Sequence, residues 1–308
     1  MMHKLMSAKL TTTSLFAVGL FAVGMTAPLY KTQAGPALLI TADKALLTSV
    51  SSAALLSPVL LDDSGAGEKY HPVDDPMAVV DQTLSRAMAS GKKALIILGA
   101  NWCHDSRGLA ARVDQPEMAN LIEEHYEMVF IDVGPLKNGK DITRRFGLPI
   151  FYATPTVLVV DPKTETLINA DDMHQWRNAD RISLEDSVDY FNRMADRDVS
   201  DYMRHKDTSA DPELKALMDQ IDAFEAQHVA RIEKGYEIVG RMVAMPPDER
   251  PDELGTYWGQ VRKLRWTFPE DIAALRKDVQ QRYAAGERDI KIEFPSFETY
   301  DWEKASDE

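Results

Sequence analysis

Only one cysteine, Cys103, occurs in 308 residues. No internal disulfide can form, so the chain is not a disulfide-stapled secreted scaffold. Positive charge is also in short supply: 35 Lys and Arg stand against 49 Asp and Glu, a net charge of −14. That field repels phosphate backbones and anionic headgroups, which argues against nucleic acid as a partner. After the N-terminal apolar stretch, no second run is long enough to cross a bilayer. Metal-ligand spacing is missing too, because His125 and His174 have no suitably placed partners, and no metal site is expected. Apolar residues are present in ordinary proportion, 44%, enough to bury a core and to exclude wholesale disorder.

Lys4 and Lys9 precede an uncharged, largely apolar stretch from Leu15 to Ala27, which is short for a membrane span. Residues 1–34 read as an export signal with cleavage after Ala27 or Ala34, implying a periplasmic or secreted protein of the cell envelope. Left uncleaved, the same stretch is an anchor, and it is the one membrane contact expected. Residues 35–76 read as a tether, rich in Ala, Leu and Ser and then in turn formers, including Gly65, Gly67, Pro72 and Pro76. Folded structure is expected from Met77.

Met77, Val80, Leu84 and Met88 recur at helical spacing up to Gly91. Ala94 to Leu98 is a short apolar run that predicts a buried strand. A helical pattern covers Ser106 to Glu124 with a kink or break at Pro116. Met128 to Val133 predicts a strand, Asp141 to Phe146 a short helix, and Thr156 to Val160 with Leu167 and Ile168 a hairpin turning at Asp161-Pro162-Lys163-Thr164. Ser183, followed by Glu185 and Asp186, predicts the N-cap of a helix through Phe191 and Met194. The order implies a central mixed sheet flanked by helices over residues 77–196. Residues 197–308 read as mainly helical: a long stripe from Leu214 to Val243, then two helices near Leu254 to Trp266 and Glu270 to Tyr283, the second started by Pro269. The alternation of Ile290, Ile292 and Phe294 could add an edge strand. Trp258, Trp266 and Trp302 are candidates to cover part of the sheet domain's surface.

Chemistry concentrates in Gly99-Ala100-Asn101-Trp102-Cys103-His104-Asp105-Ser106, which leaves the buried strand and opens a helix. The free amides of a helix N-terminus favour an anion, so a thiolate at Cys103 is well placed. A protonated His104 would add to that effect and Asp105 would oppose it. Arg144-Arg145 reads as a surface basic pair, with contact to a glutathione carboxylate as the sharper alternative.

Strand, Trp-Cys-x-x-Ser, helix, then a strand entered through Thr154-Pro155-Thr156 resembles the thioredoxin superfamily, and bacterial secreted thioredoxin-like proteins in particular. The resemblance covers about Met77 to Met194. It implies an α/β thioredoxin-like fold with an α-helical C-terminal extension, a cis Pro155 facing Cys103, and Thr154 contacting an extended substrate. Trp102, Cys103, His104 and Ser106 would form the catalytic set. Two departures matter. Ser106 replaces the resolving cysteine, and Ile97 stands where the family usually has a buried acid that assists it.

A dithiol cycle within the chain is thereby excluded, whereas exchange through one thiol is not. The implied activity is thiol–disulfide exchange or isomerisation on protein or peptide thiols and disulfides. No resident cofactor is called for, and glutathione is a candidate external resolving thiol. The alternative is a redox-inactive thioredoxin-fold binding protein of the envelope. An iron–sulfur carrier of the monothiol glutaredoxin kind would need Cys-Gly-x-Ser, and His104 stands in place of that glycine.

Overall fold

Lys93–Gly99 forms strand β1, in which every residue from Ala94 to Gly99 is buried. A strand apolar on both faces belongs in the middle of a sheet covered on both sides. In the computed structural model, which describes residues 68–200 and 211–304, β1 takes that place. It pairs in parallel with β2 (Tyr126–Asp132), Leu95 opposite Met128, and antiparallel with β3 (Thr156–Asp161), Ile96 opposite Leu158. A two-residue β4 (Thr166–Leu167) completes the order β2-β1-β3-β4. The stretches expected to be an export signal and, up to residue 67, a tether lie outside the described residues.

Side chains alternate across these strands. Leu95, Ile97, Val157 and Val159 meet α2 (His104–Val113), α3 (Pro116–His125) and α5 (Leu184–Asp196). Ala94, Ile96, Leu98, Leu158 and Val160 meet α1 (Pro76–Ser90) and α4 (Lys140–Arg145). The expected mixed sheet flanked by helices is therefore present. Pro116 breaks the predicted long helix into α2 and α3, and Ser183 caps α5 by accepting from the Asp186 amide at 3.0 Å.

The second apolar layer does not stop at residue 196. It runs on into α6 (Pro212–Val243), α7 (Leu254–Ala284) and the short α8 (Asp301–Lys304), burying Ile232, Tyr236, Leu264, Phe268 and Trp302 in one continuous core. Each such apolar side chain contributes roughly 1.5–3 kcal/mol by its burial. The C-terminal helices share this core rather than forming a separate body. Tyr236 makes the link explicit: its ring stacks on Phe151 at 5.1 Å and its hydroxyl donates to the Phe151 carbonyl at 2.7 Å.

Three expectations need correction. The start at Met77 is late, because Tyr70, inside the presumed tether, is 1% exposed and packs edge-on against Phe130. The two helices drawn on either side of Pro269 are one, α7, with Pro269 in its interior. Interior proline costs a helix about 3 kcal/mol, and here the buried stripe of Leu264, Phe268 and Ile272 continues across it and offsets that cost. Residues 287–300 add no strand to the sheet. Phe294 and Phe297 instead lay their rings against Phe224 of α6, and that aromatic contact takes the place of strand pairing.

Two histidines, His228 buried and His174 half-buried, give stability a pH dependence. Burial is the main cause that holds His174 and His228 below the usual histidine range; Arg177 and Arg231 add to it, and the Phe224 carbonyl opposes it at His228. The unfolded chain, with histidines titrating near 6.5, then binds more protons than the folded one as pH drops. Stability is complete above that value and lost as pH falls through it. The expected thermal midpoint is flat above about pH 7 and declines by a few degrees toward pH 5.5. In the His174→Gln/His228→Gln variant that slope is shallower, and an unchanged slope would assign the effect elsewhere.

Candidate functional site

β1 ends at Gly99, where a side chain has no room: a Cβ would lie 2.6 Å from Tyr70 Cε1 and 2.7 Å from Ser106 Oγ. That contact brings the first turn of α2 down onto the strand end. Asn101 ties the same loop to residue 70, accepting from the Tyr70 amide at 3.3 Å and donating to its carbonyl at 2.8 Å. Cys103 is the N-cap of α2, in extended conformation, with its carbonyl accepting from the Arg107 amide at 3.1 Å. Its side chain caps nothing and is left to the site.

The sulfur faces the loop before β3. Cys103 Sγ donates to the Thr154 carbonyl at 3.1 Å, and the Thr154 hydroxyl donates to the sulfur at 3.4 Å. The Thr154–Pro155 peptide is cis. A carbonyl accepts only from the protonated thiol, whereas a hydroxyl can go on donating to a thiolate. The loop is held from behind: Thr156 Oγ1 donates to the Ala153 carbonyl at 2.7 Å, and Tyr152 Oη donates to Glu225 of α6 at 2.9 Å. Burial and the Glu225 carboxylate both raise the Tyr152 hydroxyl, which stays protonated and keeps donating.

Of the sequence-derived site residues, Cys103, Thr154 and Pro155 come together. Trp102 lies beside them, 37% exposed; its Nε1 donates to the Gly134 carbonyl at 2.8 Å and its ring meets Trp258 edge-on at 5.5 Å. His104 is exposed and pairs with Asp105 at 3.4 Å and Asp180 at 3.7 Å. Ser106, expected in the catalytic set, makes no hydrogen bond to the sulfur, whose partner is Thr154. It is fully buried against Gly99 and Tyr70, and its hydroxyl has no hydrogen-bond partner. Its side chain packs on the end of β1, outside the lining of the cleft on which Cys103 opens. Arg144 and Arg145 are engaged by Glu233, Asp81 and Glu165. Among the described residues no cluster of metal-ligating side chains occurs.

The sulfur opens on a cleft of about 590 Å³. Its floor is Trp102, Cys103, His104 and Thr154; its far wall is α7, through Trp258, Arg262, Arg265 and Trp266. Sequence reasoning placed two of these tryptophans near the sheet domain's surface and missed the arginines. Residues 258, 262, 265 and 266 share one helical face, a mixed aromatic and basic stripe that was the available signal. Trp302, the third tryptophan, is buried among the helices.

With a mixed sheet, a cysteine at the helix start and a cis-proline loop opposite it, the chain carries a thioredoxin-like domain, and residues 75–162 match the family described as Thioredoxin-like. Among solved structures, a disulphide isomerase from Xylella fastidiosa Temecula1 is similar at 28% identity, over 41% of this chain and 95% of that one, with a TM-score of 0.38. No curated protein matches the chain.

Proposed function

We propose that this protein is an exported, single-thiol exchange protein that acts on peptide or protein disulfides. The observation that carries the reading is the sulfur of Cys103 at the start of α2, in contact with Thr154 beside cis Pro155 and open to a cleft. The Cys103 thiolate attacks one sulfur of a substrate disulfide, forming a mixed disulfide and expelling the other substrate sulfur as a thiolate. No second cysteine exists to reverse this within the chain. A thiol elsewhere in the substrate then attacks and gives a rearranged disulfide, or an external thiol such as glutathione takes the substrate sulfur. Either way Cys103 returns as a thiolate and the number of disulfides is conserved. Thr154 and Pro155 align the peptide, Trp102 walls the sulfur, His104 stands at the mouth, and Ser106 seats the helix turn.

Loss of both the resolving cysteine and the buried acid, at Ser106 and Ile97, favours a second reading in which the groove binds a partner without chemistry. One experiment separates them. The full chain with a C-terminal tag is expressed, thiols are blocked with acid and alkylating agent, and the periplasmic fraction is run without reductant. Reductant-sensitive adducts are expected for the wild type and none for Cys103→Ala. A wild type free of adducts, or adducts equal in both, leaves only the binding role. Tagged protein confined to the cytoplasm removes the export part.

A further inference from the structure

The cleft over Cys103 is opposite in charge to the acidic chain that builds it. Arg177, Arg181, Arg250, Arg262 and Arg265 line it, against the single carboxylate of Asp105. Asp105 already accepts from the Asp180 amide at 3.1 Å and faces His104. Two of the arginines have protein partners: Arg177 bonds Glu270 and the Trp266 carbonyl, and Arg250 the carbonyls of Met245 and Val243. Among the described residues no carboxylate pairs with Arg181, Arg262 or Arg265.

Arg265 is the most telling of the three. It is 5% exposed, and its Nη1 is buried without a hydrogen-bond partner. Its guanidinium has aromatic faces beside it, Trp258 at 5.3 Å and Tyr236 at 5.8 Å. The Tyr236 hydroxyl lies within reach of the guanidinium, but neither it nor an aromatic face supplies a negative charge. A desolvated charge with no counter-ion is costly, and it is kept at a cleft wall where a ligand brings the acceptor. Guanidinium groups match planar carboxylates through paired N–H donors. Trp266, between Arg177 and Arg262 at 5.1 Å from each, fixes two more guanidiniums on the same wall.

We infer that the substrates of this site are acidic peptide disulfides, whose carboxylates dock on Arg181, Arg262 and Arg265 while a disulfide sulfur reaches Cys103. The inference rests on the exchange chemistry proposed above and adds the substrate class. A cleft of this size takes a segment of a few residues. The reaction stays the balanced exchange already described: one sulfur–sulfur bond forms to Cys103, one breaks, and the leaving thiolate departs.

The test uses the purified chain and three disulfides: glutathione disulfide, rich in carboxylates; hydroxyethyl disulfide, neutral; and cystamine, cationic. The rate of adduct formation at Cys103 is followed by intact mass, and each rate is divided by that of a small thiol with the same disulfide to remove leaving-group effects. The normalised rate with glutathione disulfide is expected to exceed the neutral one about tenfold at low salt and to lose most of that advantage in 0.5 M salt. The ratio falls toward unity in Arg181→Gln/Arg262→Gln, two exposed positions, and in Arg265→Gln. Equal normalised rates for the three disulfides, or a ratio that these substitutions leave intact, overturn the inference while the exchange chemistry stands. If none of the three modifies Cys103, the exchange chemistry itself fails.

Discussion

Replacing Ser106 with cysteine is expected to shorten the life of the Cys103 mixed disulfide by two orders of magnitude or more. In the native chain the adduct has no neighbouring thiol and waits for an external one. Position 106 lies one turn along α2 from Cys103, on the neighbouring side of the helix. It is fully buried, so a thiol there is shielded from outside disulfides yet stands only one turn of helix from the mixed disulfide. Its thiolate would attack Cys103 Sγ, form an intrachain disulfide and release the substrate thiolate. Intramolecular attack gains the large effective concentration of a tethered reactant. Acid-quenched intact mass shows the difference: a persistent adduct in the wild type, and free substrate with an oxidised chain in Ser106→Cys. An adduct equally long-lived in the variant would mean that this turn does not present residue 106 to the sulfur.

The second large effect is remote from the sulfur. In α6, Gly240 approaches the loop after β2 so closely that a Cβ would sit 2.0 Å from the Pro135 carbonyl oxygen. Backbone cannot yield as a side-chain tip can, so Gly240→Ala must move either the helix or the loop. Overpacking of this severity costs about 3 kcal/mol, to be read from urea unfolding. The neighbouring Gly134 carbonyl accepts from Trp102 Nε1, so the shift reaches the cleft and slows adduct formation at Cys103. Gly255→Ala in α7 is the control, because no atom lies within 4 Å of the added methyl. It should be neutral or stabilising by about 0.5–1 kcal/mol through helix propensity. Equal effects from the two substitutions would contradict the close helix–loop contact.

Together these contacts explain why the helical extension belongs to the site. Tyr236 holds the Phe151 carbonyl, Glu225 holds the Tyr152 hydroxyl, and Gly240 abuts Pro135, so α6 braces the two loops that flank Cys103. The wall of α7 then turns an open groove into a cleft.

Local patterns made much of this legible in the sequence. An apolar run as short as Ala94 to Leu98, bounded by Lys-Lys and Gly99, reads as a buried strand, Ser183 with its following acids as a helix start, and Trp-Cys-x-x-Ser between strand and helix locates the reactive turn. What stayed hidden depends on residues distant in the chain. Tyr70 sits in a stretch of turn formers, and nothing nearby shows that Asn101 and Phe130 hold it in the core. Pro269 is a local stop signal overridden by packing on both sides of it. Ser106 carries no mark in the sequence of which way its hydroxyl points. Arg265 looks like one of many surface arginines until α7 is laid across the sheet domain and the side chain becomes 95% buried with an unpaired nitrogen.

The central claim is that Cys103 is a working nucleophile with no resolving partner in its own chain. Intact mass of the purified protein after reaction with a peptide disulfide tests it most directly. The expected result is one adduct of the peptide's mass, located at Cys103, stable after removal of excess disulfide and discharged on adding glutathione. A thiol that stays unmodified, or an adduct that disappears with no thiol added, would contradict it.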